Sequence, residues 1–115
     1  MHELSMAIEV INLAQREADK NRASSVQEIT IEVGDLSGIE ANAFESALGL
    51  MVKDSVLENA GIIIVRTVGK GKCSSCNLEF KMDQRIATCP ECGCFPSEIR
   101  GGTEFRVVSL LIEQE

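Results

Sequence analysis

The chain has 115 residues, of which 44% are hydrophobic and only 3% aromatic, and its formal charge at pH 7 is −7. This length suits one ordinary domain, or a small domain carrying a smaller module, with an aliphatic core. The negative charge argues against nucleic acid as a partner, because phosphate binding needs a basic face. No apolar stretch approaches the roughly 18 residues of a membrane span, and no signal peptide is recognisable. We therefore expect no membrane partner and a cytoplasmic location.

The N-terminal part of the chain predicts a helix followed by a strand. Apolar side chains recur at helical spacing between Leu4 and Lys20, and Asn21 marks the predicted stop. The predicted apolar stripe consists of Leu4, Ala7, Ile8, Ile11, Ala14 and Ala18. The next segment, VQEITIEVG, alternates apolar and polar residues as a strand with one buried face does, and Gly34 ends it.

A second helix and a second strand follow. Ser37 and Glu40 stand three positions apart ahead of an apolar run, which is the pattern of a capping box. Ala41, Phe44, Leu48 and Met51 follow at helical spacing, so a second helix is predicted to run to about Val52. The segment GIIIVRTV, which begins at Gly61, is a continuous β-branched run and predicts a strand buried on both faces, or nearly so. The segment GKGKC that comes after it predicts a short flexible joint.

The order of the elements predicts an α+β fold. Helix, strand, helix, strand, insertion and a terminal strand in EFRVVSLLIEQE give a small mixed three-stranded sheet with two helices on one face. The insertion adds a four-cysteine module that resembles a zinc ribbon. We expect residues 1–69 and 102–115 to form one discontinuous domain and residues 70–101 to form the inserted domain. The predicted core contains Ile8, Ile11, Ile29, Ile31, Phe44, Leu48, Ile63 and Val107.

The insertion carries the most specific motif of the sequence. Cys73 and Cys76 form one CxxC pair, Cys89 and Cys92 form a second, and twelve residues separate the pairs. Each pair can aim two sulfurs at one point, so that four thiolates complete a tetrahedral metal site. Two disulfides are the alternative, which a reducing cytosol disfavours. Zinc is the expected metal and a rubredoxin-like iron is the alternative, while Cys94 is interpreted as a free thiol or a spare ligand.

Nothing in the sequence predicts an enzyme. A four-thiolate site leaves no open position, so its metal is expected to be structural. The chain has one histidine, no Ser/His/Asp set and no glycine-rich phosphate loop, since VGKGKC lacks the required GxxxxGK[ST] spacing.

The single histidine is the second residue of the chain. The α-amino group of Met1, the backbone nitrogen of His2 and the His2 imidazole can close two fused chelate rings on one cation. Such nitrogen ligands suit Ni(II) or Cu(II), and the backbone or side chain of Glu3 can complete the set. A solvated, incidental histidine at a chain end is the alternative.

Three segments together resemble the HypA/HybF family of nickel metallochaperones of hydrogenase maturation. They are MHELS at the start, the loop GDLSGIE in the middle, and the late CxxC…CPxC insertion. The resemblance implies a nickel site at Met1, His2 and Glu3, and a structural zinc at Cys73, Cys76, Cys89 and Cys92. Glu40 stands where the family often has an acidic residue near the nickel.

The resemblance also implies a function and partners. The chain would carry Ni(II) and help to insert it into the large subunit of [NiFe] hydrogenase. A nickel-loading GTPase, the hydrogenase large subunit and urease maturation proteins would be its partners, and the chain itself would be a monomer or a weak homodimer. Two other functions stay open: a zinc-ribbon protein-interaction module without nickel, and a small rubredoxin-like iron redox protein.

Overall fold

The computed structural model describes residues 2–83 and 87–114. In these ranges it has two helices, α1 (Glu3–Lys20) and α2 (Ala41–Met51), and six strands. The strands are β1 (Ala23–Gly34), β2 (Gly61–Thr67), β3 (Gly69–Cys73), β4 (Glu79–Met82), β5 (Pro96–Gly101) and β6 (Phe105–Gln114). None of the helices described is long and apolar enough to cross a membrane.

The first sheet has the strand order β2-β1-β6. β2 runs parallel to β1, because α2 carries the chain back between them, and β6 runs antiparallel to β1. The second sheet has the order β4-β3-β5 and is built from the insertion. The predicted α+β fold, with a mixed three-stranded sheet, two helices and an inserted four-cysteine module, is confirmed.

The main core lies between the first sheet and the two helices. It is almost entirely aliphatic, and its one fully buried aromatic ring, Phe44, meets Phe105 edge to face at a centroid distance of 5.1 Å. The largest fully buried side chains of this core are those of Phe44, Ile29, Ile31, Leu48, Leu57, Val26 and Val33. Four of the predicted core residues are among them, and Ile11 and Val107 pack against the core partly buried.

The predictions for Ile8 and Ile63 were wrong, since their exposed fractions are 41% and 42%. In α1 the buried stripe consists of Ala7, Val10, Ala14 and Ala18, whose small alanines allow the helix to approach the sheet closely. Ile8 therefore lies at the edge of this stripe. Ile63 faces outward from β2, which is an edge strand with helices on only one of its faces, so β2 is not buried on both faces.

Two local predictions were also wrong. Glu40, and not Ser37, is the N-cap of α2, because its carboxylate accepts a hydrogen bond of 2.5 Å from the backbone N–H of Ala43. The Ser37 hydroxyl instead accepts from the N–H of Ile39 inside the preceding loop. The segment GKGKC is not a flexible joint but contains β3, the central strand of the second sheet. Backbone pairing with strands on both sides outweighs the low strand propensity of its glycines.

The loop of residues 35–40 joins β1 to α2 along the chain and contacts both sheets. Its Leu36 side chain is fully buried and packs against the backbone of Gly69, where a methyl group would collide with it. The N–H of Leu36 donates to the carbonyl of Gly102, and the N–H of Gly34 donates to that of Glu104, both at 2.6 Å. The two sheets are therefore joined by close backbone contacts as well as by the chain itself.

Replacing Gly34 by Ala is expected to destabilise this junction by about 1–3 kcal/mol. A methyl group at Gly34 would overlap the carbonyl of Gly102 and lie 2.9 Å from the backbone nitrogen of Glu104, so the backbone would have to move. Gly49→Ala is the control, because nothing lies within 4 Å of that position in α2 and the change should stabilise the helix by about 0.5–1 kcal/mol. Urea unfolding of both variants measures the difference, and equal stability would contradict the close approach.

The outer face of the first sheet, away from the helices, carries polar contacts across all three strands. Glu32 on β1 accepts hydrogen bonds from the Thr67 hydroxyl on β2 at 2.5 Å and from Arg106 Nε on β6 at 2.6 Å. These bonds, that of Thr67 first, lower the pKa of Glu32. The two edge strands expose aliphatic side chains on the same face, among them Val65 and Leu111.

Candidate metal centre

Four cysteines converge at the end of the second sheet. The ligand atoms of Cys73, Cys76, Cys89 and Cys92 all lie within 4.8 Å of one another. The sulfurs of Cys73 and Cys92 are 3.3 Å apart and those of Cys76 and Cys89 are 3.5 Å apart. All four are free thiols, so the alternative of two disulfides does not describe this structure.

Two similar backbone turns aim these sulfurs. In the first, Asn77 adopts a φ of 62° and its N–H donates to the carbonyl of Cys73 at 2.9 Å. In the second, Gly93 adopts a φ of 77° and its N–H donates to the carbonyl of Cys89 at 2.8 Å. Each left-handed residue directly follows the second cysteine of its pair, so both CxxC segments curl around one point. The role of Asn77 in the first turn was not predicted from the sequence.

The fifth cysteine lies outside the cluster. The carbonyl of Cys94 accepts from the N–H of Cys89 at 2.7 Å, as the carbonyl of Leu78 accepts from the N–H of Cys73 at 2.9 Å. In the second turn Cys94 therefore occupies the position that Leu78 occupies in the first turn, directly after the residue with positive φ. Its thiol is exposed and accepts a hydrogen bond of 3.6 Å from the Ser75 hydroxyl.

The donor set fits a divalent ion that prefers sulfur. A tetrahedron with metal–sulfur bonds of about 2.3 Å has edges of about 3.8 Å, close to the observed sulfur separations. The N–H of Cys76, followed by the thiol of Cys92, lowers the pKa of Cys73 to about 6. At Cys92 the N–H of Cys94 favours the thiolate. The thiol of Cys73, then desolvation and the thiols of Cys89 and Cys94, outweigh this effect and raise the pKa of Cys92 to about 12. The neighbouring thiols thus favour a thiolate at Cys73 and oppose one at Cys92, and a bound cation would balance the charge of four thiolates.

The N-terminal residues lie beside the loop of residues 35–40. His2 is exposed and is the N-cap of α1, where its carbonyl accepts from the N–H of Met6 at 2.9 Å and its imidazole makes no capping hydrogen bond. Met1, the predicted source of the amine ligand, lies outside the described residues. The structure thus leaves the imidazole open to solvent at the start of the helix.

Glu3 ties this end of the chain to the loop. Its carboxylate accepts a hydrogen bond of 3.1 Å from the backbone N–H of Glu40. The amino terminus of the chain, and then the Glu40 N–H, lower the pKa of Glu3 to about 2. The two helices therefore begin side by side, and the carboxylate of Glu3 is occupied as a hydrogen-bond acceptor.

The charged side chains around Glu40 were not predicted from the sequence. A cavity of about 200 Å³ beside Glu40 is lined also by Asp35, Arg66 and Asp83, and Arg66 forms an ion pair of 3.2 Å with Asp35. Asp83 comes from the insertion and Arg66 from β2, so no local pattern could have indicated that they meet near Glu40.

Comparison with known proteins gives one consistent result. Residues 1–112 match the family model described as HypA, hydrogenase/urease nickel incorporation, metallochaperone. A hydrogenase maturation factor HypA from Parabacteroides distasonis is 42% identical over 115 residues, covering 100% of both chains. Another from Geobacter metallireducens is 35% identical over 113 residues, covering 98% of this chain and 100% of the relative.

A solved structure has the same fold. The solution structure of the Ni metallochaperone HypA from Helicobacter pylori superposes with a TM-score of 0.68 at 28% identity, and each chain is covered completely. The family model, the full-length relatives and this superposition all agree with the resemblance seen in MHELS, GDLSGIE and the paired cysteines. The chain therefore belongs to the HypA family of metallochaperones for nickel incorporation into hydrogenase and urease.

Proposed function

We propose that this chain binds Ni(II) at its N-terminus and helps to insert it into the large subunit of [NiFe] hydrogenase. The α-amino group of Met1, the backbone nitrogen and imidazole of His2, and Glu3 would supply the ligands. The family description and the names of the relatives support nickel as the cargo. The exposed imidazole of His2, which no capping hydrogen bond occupies, supports the location.

The observation that carries this proposal is the hydrogen bond from the Glu40 N–H to the Glu3 carboxylate. A histidine at an unrestrained chain end is usually frayed and would bind a metal weakly. Here Glu3 anchors the first turn of α1 to the loop of residues 35–40, which orients His2 before the ion arrives. Because the carboxylate already accepts hydrogen bonds, the backbone nitrogen of Glu3 is the better candidate ligand.

The four-cysteine cluster would hold a structural Zn(II). Four thiolates leave no position for a substrate, so the ion would supply folding energy to the second sheet and no reaction step. We propose the domain division predicted above, with residues 70–101 forming the zinc-binding domain. We also propose that the protein acts in the cytoplasm as a metal carrier and not as an enzyme. A nickel-loading GTPase, the hydrogenase large subunit and urease maturation proteins are the proposed partners.

The test is a calorimetric nickel titration of protein with a native, untagged N-terminus, with zinc content measured by elemental analysis on the same sample. We expect one nickel bound per chain in addition to one zinc. Zinc-replete protein that takes up no nickel would contradict the carrier function and favour a zinc-ribbon interaction module. Red protein that contains iron in place of zinc would instead favour the redox alternative.

A further inference from the structure

The polar face of the second sheet concentrates positive charge in a chain that is otherwise acidic. Three of the five lysines of the chain, Lys70, Lys72 and Lys81, lie on this face. In β3 the two lysines alternate with buried residues, so both side chains point away from the buried side of the sheet. The register places Lys81 of β4 directly opposite Lys70, and residues that pair directly share one face.

Acidic residues of the neighbouring strands balance one of these lysines. Lys72 lies opposite Glu79 of β4 and Glu98 of β5. Opposite charges directly across two strands stabilise their pairing. Glu98 also forms an ion pair of 2.8 Å with Arg100 of the same strand. Lys72 and Arg100 therefore have acidic neighbours within the sheet.

Lys70 and Lys81 lack this balance. They lie opposite each other on β3 and β4, and the residue opposite Lys70 on β5 is Gly101, which has no side chain. Like charges directly across two strands destabilise their pairing. Both lysines are exposed, and neither forms an ion pair with any residue that the structure describes. An anion from outside the chain that contacted both ammonium groups would remove this repulsion.

A cavity with an apolar wall adjoins the two lysines. Its volume is about 370 Å³, and it is lined by Lys70, Lys81, Glu79, Val68 and Phe80. Val68 lies between β2 and β3, and it is 39% exposed although its side chain is aliphatic. A ligand that fits this place would combine negative charge for the ammonium groups with an apolar group for Val68 and Phe80. A small free anion would leave the apolar wall unused.

We propose that Lys70 and Lys81 bind an acidic segment of a partner protein, and that an apolar side chain of the same segment enters the cavity beside Val68 and Phe80. Charge complementarity supports this occupant, because the chain as a whole carries −7 and repels an acidic segment elsewhere. A nucleic acid is a poorer fit, since its many phosphates would extend beyond two lysines over the acidic remainder of the chain. The site does not rest on the proposed nickel function and is expected in nickel-free protein as well.

Fluorescence anisotropy of a labelled peptide of alternating glutamate and leucine tests the site, with full-length, zinc-containing protein at low ionic strength. We expect one peptide per chain, and charge reversal by Lys70→Glu or Lys81→Glu is expected to weaken its binding by at least about tenfold. Lys53→Glu is the matched control, because Lys53 is an exposed lysine outside the second sheet and its reversal changes the net charge equally. This control should keep its affinity within about twofold of the native chain.

A second peptide, of alternating glutamate and serine, separates the two parts of the site. Val68→Ser should weaken the binding of the glutamate–leucine peptide but not of the glutamate–serine peptide, because only a leucine side chain uses the apolar wall. Circular dichroism and zinc content confirm that each variant is folded.

Three results would contradict the proposal in different ways. A glutamate–leucine peptide that does not bind, or that is lost equally in Lys53→Glu, would overturn the docking site. Equal binding of both peptides by the native chain would overturn the apolar contact. A single-stranded oligonucleotide that binds at Lys70 and Lys81 more tightly than the peptide would overturn the choice of occupant.

Discussion

An N-terminal extension of a few residues is expected to weaken nickel binding by at least about tenfold, nearly as much as His2→Ala. The extension converts the α-amino group of Met1 into an amide and moves the free amine away from the imidazole. If amine and imidazole bind the same ion, losing either one removes a nitrogen ligand and opens a chelate ring. Nickel titration of the extended protein, His2→Ala and the native chain measures both effects.

Zinc content and stability are the controls for this comparison. A terminal residue buries little, so neither change should alter the zinc content or the free energy of unfolding. An imidazole-only site would lose nickel in His2→Ala but tolerate the extension, and a solvated histidine would tolerate both changes. Full nickel affinity in the extended protein would therefore rule out the amine chelate.

Replacing any one of the four clustered cysteines, for example Cys73→Ala, is expected to abolish zinc binding and unfold the second sheet. Among the residues of that sheet whose burial is described, Met82 is the only large side chain outside the cysteines that is fully buried, so little apolar burial stabilises the sheet. Zinc binding contributes about 10–16 kcal/mol to the folding of small zinc peptides, which is more than such a sheet can replace. Elemental analysis and amide hydrogen exchange measure the two losses.

The first sheet should keep its protection from hydrogen exchange in these variants, because its core is separate and aliphatic. Cys94→Ala is the matched control, since Cys94 lies beside the cluster but outside it, and this variant should retain zinc. Protein purified without a chelator and found free of zinc would contradict the assignment of the metal. Zinc lost in Cys94→Ala and kept in Cys92→Ala would mean that Cys94 is a ligand.

Much of the fold could be predicted because period and spacing are local properties. The alternation around Ile29 and Ile31 indicated a strand with one buried face, and the two CxxC pairs indicated a sulfur cluster. The exposure of Ile8 and Ile63 could not be predicted, because it depends on which strand is an edge and on how closely alanines bring α1 to the sheet. The strand at GKGKC likewise depends on partners that arrive from distant parts of the chain.

At the N-terminus the sequence indicated the residue types but not their surroundings. Glu40 was interpreted as the third residue of a capping box, whereas it caps α2 itself and its backbone N–H binds Glu3. Thirty-seven positions separate Glu3 from Glu40, so no helical or strand period could relate them. Asp83 approaches the same place from the insertion and was missed for the same reason.

The hydrogen bond between Glu3 and Glu40 has an electrostatic consequence for cargo binding. It brings the N-terminal ends of α1 and α2 together, and each such end carries a partial positive charge of about half a unit. The carboxylates of Glu3 and Glu40 each accept a backbone N–H at these ends. Their two full negative charges outweigh the two half-unit charges of the helix ends, so a nickel ion bound at His2 would meet a favourable local potential. We expect added salt, which screens this attraction, to weaken nickel binding.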